Sequence, residues 1–267
     1  MSALNIFVDA IGLAAPGLNG WAQGSAVLAG QLAYAAEELP RYAPELLPPN
    51  ERRRATAVGR LAFQSAEEAI GQLNGAAADL AAVFASSGGD TDIVNLICSS
   101  LATPQRPVSP THFHNSVHNA AAGYWSIATG SRKPSTSLSA FDGSFGAGLM
   151  EAAVLCASEA QPVLLVAYDS VPGEPLHEKR PLSTDFSIAL LLRPQAGPRT
   201  LASLALNYCH DQAETRLDDD TLEALRQGNP AARALPLLQA LAQQQATEMV
   251  LPAVQDIQLA VSIKPVS

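Results

Sequence analysis

The stretch Ser135-Thr-Ser-Leu-Ser-Ala-Phe-Asp-Gly-Ser-Phe-Gly-Ala-Gly-Leu-Met-Glu-Ala-Ala153 decides how this chain is interpreted. It predicts a short strand, a tight turn and then a helix of small residues. The N–H groups and the dipole at a helix N-terminus favour negative charge, so a cysteine at such a turn has a lowered pKa and is a strong nucleophile. Phe141 and Asp142 stand at this turn instead. The sequence therefore predicts a site built for a nucleophile that is absent.

The composition of the chain indicates a protein with a sizeable buried core. Of its 267 residues, 48% are hydrophobic and only 15% are charged. The formal net charge of −9 argues against nucleic acid and anionic membrane surfaces as partners. The three cysteines are far apart, as in cytosolic proteins with reduced thiols. Because the first residues lack a basic segment and no apolar run is long enough to span a bilayer, we expect a cytoplasmic protein.

Apolar segments without polar alternation predict buried strands, and the segments between them predict helices. The sum is an α/β fold with a five-stranded mixed sheet that helices cover on both faces. Two of the strands have only a loop between them and are expected to pair as a hairpin at one edge, and 201–208 is expected as an edge strand. The predicted strands are Leu4–Leu13, Leu80–Ala85, Pro162–Tyr168, Phe186–Leu192 and Ile257–Ile263.

Helical periodicity and capping residues place the helices. The long segment Glu51–Leu73 has an apolar face and is followed by Asn74-Gly75, a typical helix end. Asp90 or Thr91 is a candidate cap for a helix that continues to about Leu101. The other predicted helices are Gln23–Ala36, Asn115–Thr129, the helix after the turn to about Ser158, Asp218–Gln227 and Leu235–Gln245.

Several of these segments, in this order, resemble the N-terminal half of a β-ketoacyl synthase of the thiolase superfamily. The resemblance covers about residues 4–193 and includes the first strand with Gly12, the helix after Arg52–Arg54, the Val83–Gly89 turn and the Asn115–Gly130 helix. It implies a thiolase-like half in residues 1–193. Residues 194–267 are then a C-terminal extension with two helices and a last strand, packed on the same domain.

The turn falls where the family has Thr-Ala-Cys-Ala-Ser-Gly. Counting back from Glu151 places Asp142 at the cysteine, and counting forward from Ser139 places Phe141 there. The family also uses two histidines from a second half of which no counterpart is found, and neither His177 nor His210 lies in a matching motif. The resemblance therefore implies a chain with no catalytic residues of its own.

This pattern resembles a chain-length-factor subunit, of the short kind found in aryl polyene clusters. The resemblance implies a heterodimer with an active ketosynthase, whose acyl tunnel the subunit shapes. The phosphopantetheine-bound acyl chain then arrives through the partner, and the acyl carrier protein is met only indirectly. The residues expected at the interface are Asn115, His118, Tyr124, Trp125, Ser135, Ser137 and Ser139. Those expected at the turn or tunnel are Phe141, Asp142, Gly143, Ser144 and Phe145.

Other functions stay open from the residues alone. A small serine-dependent acyltransferase or hydrolase acting on acyl thioesters is the alternative, with Ser87, Ser139 or Ser144 as its nucleophile. However, Asp142 stands where a G-x-S-x-G motif needs its first glycine. His114 and His118 have the i, i+4 spacing of metal ligands, yet an interface or capping role is preferred. No metal or resident cofactor is therefore expected.

Overall fold

The computed structural model describes residues 3–72 and 77–266. The described residues form one mixed sheet of nine strands. The expectation of five strands is therefore wrong. The strands are β1 (Leu4–Ala15), β2 (Leu18–Asn19), β3 (Ala81–Ala85), β4 (Ser135–Leu138), β5 (Val163–Asp169), β6 (Phe186–Arg193), β7 (Ala202–His210), β8 (Thr247–Val254) and β9 (Ile257–Pro265).

The strand order along the sheet is β4-β3-β5-β6-β1-β7-β9-β8, with β2 paired to β1 alone. β3 runs parallel to β4 and β5, and the other pairings are antiparallel. The predicted antiparallel pairing of β5 with β6 is confirmed. Its predicted place at an edge is wrong, because β6 also pairs with β1. β7, expected at an edge, likewise lies between β1 and β9.

The predicted 51–73 helix is divided, the predicted 115–129 helix begins only at Ala120, and the predicted 23–36 helix is shorter than expected. The long 51–73 segment breaks before Ala57, because the Thr56 hydroxyl accepts a hydrogen bond from Gly59 N (3.2 Å) and caps a new helix. The first helix ends at Leu28, and Gly30 follows with φ +74. The expected end at Asn74-Gly75 lies outside the described residues. The helices are α1 (Trp21–Leu28), α2 (Pro49–Arg54), α3 (Ala57–Gly71), α4 (Thr91–Leu101), α5 (Pro110–Asn115), α6 (Ala120–Thr129), α7 (Ser144–Ser158), α8 (Leu176–Lys179), α9 (Asp220–Gly228) and α10 (Leu235–Ala242).

Helices cover both faces of the sheet, as predicted. One face packs against α3 and α6, with Phe63, Phe84 and Trp125 at the centre of that core. The other packs against α7 and α10, and its core contains Phe145 and Leu149. Among the described helices, none combines the length and the apolar composition that a membrane crossing needs.

The residues after 193 continue the sheet. β7 pairs with β1 and with β9, and β9 pairs with β8, so that β8 lies at the second edge. β8 packs against the start of α7, where glycine is required. A Cβ on Gly143 would overlap the carbonyl group of Ala253, and one on Gly146 would overlap the carbonyl oxygen of Pro252. The extension and the turn before α7 therefore fit together backbone to backbone.

The substitution Gly146→Ala tests this close approach. We expect it to lower the free energy of unfolding by about 1–3 kcal/mol, because β8 must move away from α7. The matched control is Gly123→Ala in α6, where an added Cβ meets no atom within 4 Å. Alanine there should stabilise the chain by about 0.5–1 kcal/mol through helix propensity. Equal effects of the two substitutions in denaturant unfolding would contradict the packing described.

Candidate functional site

The turn between β4 and α7, residues 139–144, is called the elbow below. Its backbone is strained at Phe141, which has φ +53 although it is a bulky aromatic residue. The side chain is 62% exposed. A positive φ at a non-glycine residue persists only when the surrounding structure holds it, and such residues concentrate at functional sites. Phe141 is thus the side chain that the elbow presents.

Hydrogen bonds hold the elbow in this conformation. The buried hydroxyl of Ser144 donates to the carbonyl oxygen of Phe141 (2.7 Å) and accepts from Ala140 N (3.0 Å). The hydroxyl of Ser139 donates to the carbonyl oxygen of Ser87 (3.0 Å), which joins the elbow to the turn after β3. These bonds, together with the packing of Gly143 on β8, fix the position of Phe141.

Arg180 covers the exposed side of the elbow. It lies in the loop between β5 and β6, directly after α8. Its guanidinium carbon is 3.7 Å from the centre of the Phe141 ring, and its Nη2 donates to Asp142 Oδ1 (2.6 Å). A single cation therefore makes a cation–π contact with one elbow residue and an ion pair with the next. Both residues that the sequence offered as the nucleophile position are engaged by this one side chain.

A buried carboxylate supports the turn next to the elbow. Asp169 Oδ1 accepts hydrogen bonds from Ser86 Oγ (3.0 Å), Ser87 N (2.8 Å) and Ser87 Oγ (2.8 Å). Burial raises the pKa of Asp169 to about 6, although these hydrogen bonds oppose the shift. His118 Nε2 donates to the carbonyl oxygen of Ser86 (2.9 Å), since a carbonyl oxygen can only accept. The turn that binds Ser139 is therefore fixed from two sides.

The residues predicted for an interface lie in two different environments. Ser135 and Ser137 belong to β4, an edge strand that, among the described residues, pairs only with β3. Ser139 is exposed just after it. Tyr124 and Trp125 are instead buried in the core of this chain. The Trp125 ring packs edge-on against Phe63, with 5.6 Å between ring centres. The outer face of α6 presents Gly123 and Ile127.

The remaining predicted residues are buried or partly buried, except Phe141. Asn115 is buried and donates to the carbonyl oxygens of Arg54 (3.2 Å) and Thr111 (3.1 Å), and His118 is half-buried. Of the residues expected at the turn or tunnel, Phe141 is exposed and Asp142 is half-exposed. Gly143, Ser144 and Phe145 are buried at the start of α7. The exposed side chains of the elbow are therefore Ser139 and Phe141, with Asp142 half-exposed beside them.

The structure gives the candidate serines local hydrogen-bonding roles. Ser144 and Ser139 donate to carbonyl oxygens, and Ser87 donates to Asp169. In the part of the chain that is described, none of these hydroxyls is hydrogen-bonded to a histidine. The described residues also hold no group of three or more His, Cys, Asp or Glu side chains arranged to bind a metal. His114 packs edge-on against Tyr124 instead, with 5.7 Å between ring centres.

The arginines Arg52–Arg54 serve the loop before α2. Arg52 Nη2 donates to the carbonyl oxygens of Glu45 (2.8 Å) and Leu47 (3.0 Å). Arg54 forms an exposed ion pair with Glu51 (3.3 Å). Two of the three arginines, Arg52 and Arg54, therefore have local structural contacts.

Sequence reasoning missed Arg180 and Asp169. Asp169 had a usable signal, because it is a carboxylate that ends an apolar buried strand and is followed by a serine. Arg180 stands in a polar loop about 40 residues after the elbow, where nothing in the local pattern marks it. Its contact with Phe141 exists only because β5 and β6 place their connecting loop over the elbow.

Residues 21–255 match the model of the family described as "Beta-ketoacyl synthase, N-terminal domain". The chain belongs to this family. The family predicted from the order of the sequence segments is thereby confirmed. A search of curated proteins found no match.

Solved structures with the same fold include chains of ketosynthase complexes. One is from the ketosynthase (ApeO) in complex with its chain length factor (ApeC) from Xenorhabdus doucetiae, with TM-score 0.73, 23% identity and coverage of 97% of this chain and 99% of that chain. A second is from the ishigamide ketosynthase/chain length factor, with TM-score 0.74, 13% identity and coverage of 98% and 100%. At identities this low, the likeness shows only that this chain has the same fold as those chains.

The elevated pKa of Asp169 predicts a pH-dependent stability. The folded chain keeps the Asp169 proton to about pH 6, whereas the unfolded chain loses it near its ordinary value of 3.8. The folded state therefore binds more protons in this window, and its stability falls as the pH rises from about 4 to 6. The variant Asp169→Asn carries an amide that does not titrate, so its stability should not fall in this way.

From pH 4 to pH 7, we expect the free energy of unfolding of Asp169→Asn to rise relative to that of the wild type. The shift from pH 4 to pH 7 should be about 2–3 kcal/mol. Urea unfolding followed by circular dichroism at each pH measures it. Curves for the two proteins that stay parallel over this range would contradict the assignment.

Proposed function

We propose that this chain is a non-catalytic ketosynthase-like subunit of the chain-length-factor kind. In this proposal it forms a heterodimer with an active β-ketoacyl synthase and shapes the acyl tunnel of that partner. The observation that carries the proposal is the elbow, which keeps a strained, tightly held turn but presents Phe141 under Arg180. A phenyl ring has neither a lone pair nor a proton for nucleophilic chemistry.

The backbone supports Phe141, rather than Asp142, as the residue in the place of the family's cysteine. A nucleophile at a strand-to-helix turn sits on a sharp, strained backbone that lifts its side chain out of the fold. Phe141 has the positive φ and the exposed side chain that such a position gives. Asp142 is instead held in an ion pair by Arg180. Its carboxylate is therefore already occupied by a cation of this chain.

The free side of β4 supports the proposed interface. Ala82 N and Ser86 N donate to the carbonyl oxygens of Pro134 and Leu138, so these residues turn their main-chain groups toward β3. Main-chain groups alternate along a strand, and those of Ser135 and Ser137 therefore point away from the sheet. An edge of this kind pairs readily with a strand of another chain. The exposed face of α6, with Gly123 and Ile127, continues the surface beside it.

The proposal extends to the pathway only through the likeness to known complexes. One similar chain comes from a ketosynthase and chain length factor complex, and another from a type II PKS acyl-carrier protein in complex with its ketosynthase. We assign this chain to the same kind of biosynthesis, of polyene or fatty-acid type, with aryl polyenes as the preferred product class. The net charge of −9 leaves the docking of an acidic carrier protein to the partner. The three cysteines of this chain are free, which supports a place in the reducing cytoplasm.

The serine-enzyme alternative receives no support from the geometry. Its best candidate, Ser144, is buried, and its hydroxyl donates a hydrogen bond to the elbow backbone. A serine nucleophile needs a base within hydrogen-bond reach to remove its proton. In Ser144 that proton is donated to the Phe141 carbonyl oxygen, and not to a base.

Blocking the edge of β4 tests the heterodimer. Co-expression with the proposed ketosynthase partner should give a 1:1 complex on a sizing column. Ser137→Pro should abolish the complex, because proline removes an outward N–H, while the chain stays folded by circular dichroism. Ser137→Ala keeps that N–H and should retain the complex. Separate elution of the wild-type chains, or a complex unaffected by the proline, would refute the interface.

The elbow residues should affect the product rather than the chemistry. Phe141→Trp in the complex is expected to shift the distribution of chain lengths, measured by mass spectrometry of the released products. Asp142→Ala should leave the condensation rate within about threefold of the wild type, since no step requires the carboxylate. A complex that Asp142→Ala inactivates would point to a direct chemical role of this residue.

A further inference from the structure

The helix α4 presents an apolar stripe to solvent. Val94, Cys98 and Leu101 have the spacing i, i+4, i+7, which places their side chains on one face of the helix. Val94 is 40% exposed, Leu101 is 49% exposed, and Cys98 is exposed as well. Among the residues of α4 only Ile93 is buried. An amphipathic helix normally buries such a stripe, so its exposure indicates a contact with another molecule.

Polar side chains attach α4 to its own chain. Asp92 Oδ1 accepts a hydrogen bond from Gly173 N (2.8 Å), and Asn95 Nδ2 donates to the carbonyl oxygen of Glu174 (3.0 Å). Both of these partners lie in the loop between β5 and β6. At about 3.6 residues per turn, Asp92 and Asn95 lie on a different side of α4 from the apolar stripe. The helix is therefore held in place by its polar side, and the apolar stripe is left uncovered.

The neighbouring segment adds further exposed apolar side chains. α5 packs beside α4, and its Phe113 is 67% exposed. Val117, which is also exposed, directly precedes His118, and His118 donates to the carbonyl oxygen of Ser86 in the turn before α4. These segments therefore adjoin each other. Their exposed apolar side chains, called the α4 surface below, are those of Val94, Cys98, Leu101, Phe113 and Val117.

The segment that carries the apolar stripe has no charge. Residues 93–105 contain no Asp, Glu, Lys or Arg, although the net charge of the chain is −9. Charged residues are depleted at the centre of protein interfaces, where aromatic and apolar side chains are packed. The composition of this exposed segment is therefore typical of an interface with an apolar surface of another protein.

The edge of β4 is too small to form a stable interface alone. β4 has 4 residues, whereas a stable protein interface takes about 20–30 residues on each side. The α4 surface begins close to the end of β4. Ser139, directly after β4, donates to the carbonyl oxygen of Ser87, and Ser87 belongs to the turn that leads into α4. A chain that pairs with β4 therefore reaches α4.

We propose that the α4 surface packs against the same ketosynthase subunit whose strand pairs with β4. This inference rests on the function proposed above, because it takes the same partner. Strand pairing at β4 supplies main-chain hydrogen bonds, which fix the register of the two chains. Burial of the α4 surface supplies the hydrophobic part of the binding free energy. The interface then extends from the strand edge over α4 and α5.

Cys98 is a direct reporter of this contact, because its thiol lies in the apolar stripe. The chain alone and the co-purified complex are treated with N-ethylmaleimide, and the rate at each cysteine is followed by peptide mass spectrometry. We expect Cys98 to react at least about tenfold more slowly in the complex, since thiol reactivity requires access. Cys209 on β7 is the internal control, and its rate should be the same in both samples.

Charged substitutions in the apolar stripe test its contribution to affinity. Val94→Glu near the start of α4 and Leu101→Lys at its end suit the helix dipole, so each variant should stay folded by circular dichroism. Each places a charge in an apolar interface and should raise the Kd of the complex at least about tenfold. Leu32→Lys, at an exposed leucine after α1, is the matched control and should keep the wild-type Kd.

The outcomes separate this inference from the proposed heterodimer. A 1:1 complex in which Cys98 reacts as fast as in the free chain would overturn the inference and leave the heterodimer standing. Failure of the wild-type chains to form a complex would overturn both. A dimer of this chain alone that protects Cys98, seen by sedimentation and maleimide labelling, would assign the α4 surface to a second copy and would overturn the inference as well.

Discussion

The close contact between the start of α7 and β8 is the constraint on which the rest of the structure depends. α7 is apolar on most of its surface and is buried by the sheet on one side and by the extension on the other. The glycines at 143 and 146 allow the β8 backbone to reach the helix. β7 and β9 lie between β1 and β8 in the described sheet. The contact of β8 with α7 therefore requires the sheet to continue past β1. The position of the elbow at the head of α7 follows from it.

In the proposed role, the elbow presents an aromatic ring where the resemblance implies a nucleophile. The backbone at Phe141 is strained, and the Ser144 hydroxyl holds it. A cysteine at this position would exploit the helix N-terminus to form a thiolate. The phenyl ring instead makes a hydrophobic and cation–π surface, completed by Arg180 and Asp142. The proposed role in shaping a partner rests on these side chains.

Parts of this structure could be predicted because their signals are local. The apolar runs at 163–168 and 186–192 identify buried strands, and the run of small residues after Phe141 identifies a packed helix. The short strand before the elbow was also predicted, and it is β4. β8 was missed, because it alternates and contains Pro252 and so lacks the apolar signal of a buried strand. Tyr124 and Trp125 could not be assigned to the core or the surface, because α6 is apolar on both sides. Arg180 depends on a contact between distant segments, which no local pattern records.

The most direct test of the central claim is the intact mass of each subunit after reaction with an acyl thioester. The ketosynthase complex is treated with an acyl-pantetheine substrate and is quenched before turnover. The partner chain should gain the mass of one acyl group, while this chain should keep its unmodified mass in the complex and alone. A covalent acyl group found on this chain, at the elbow or at any other residue, would contradict the account.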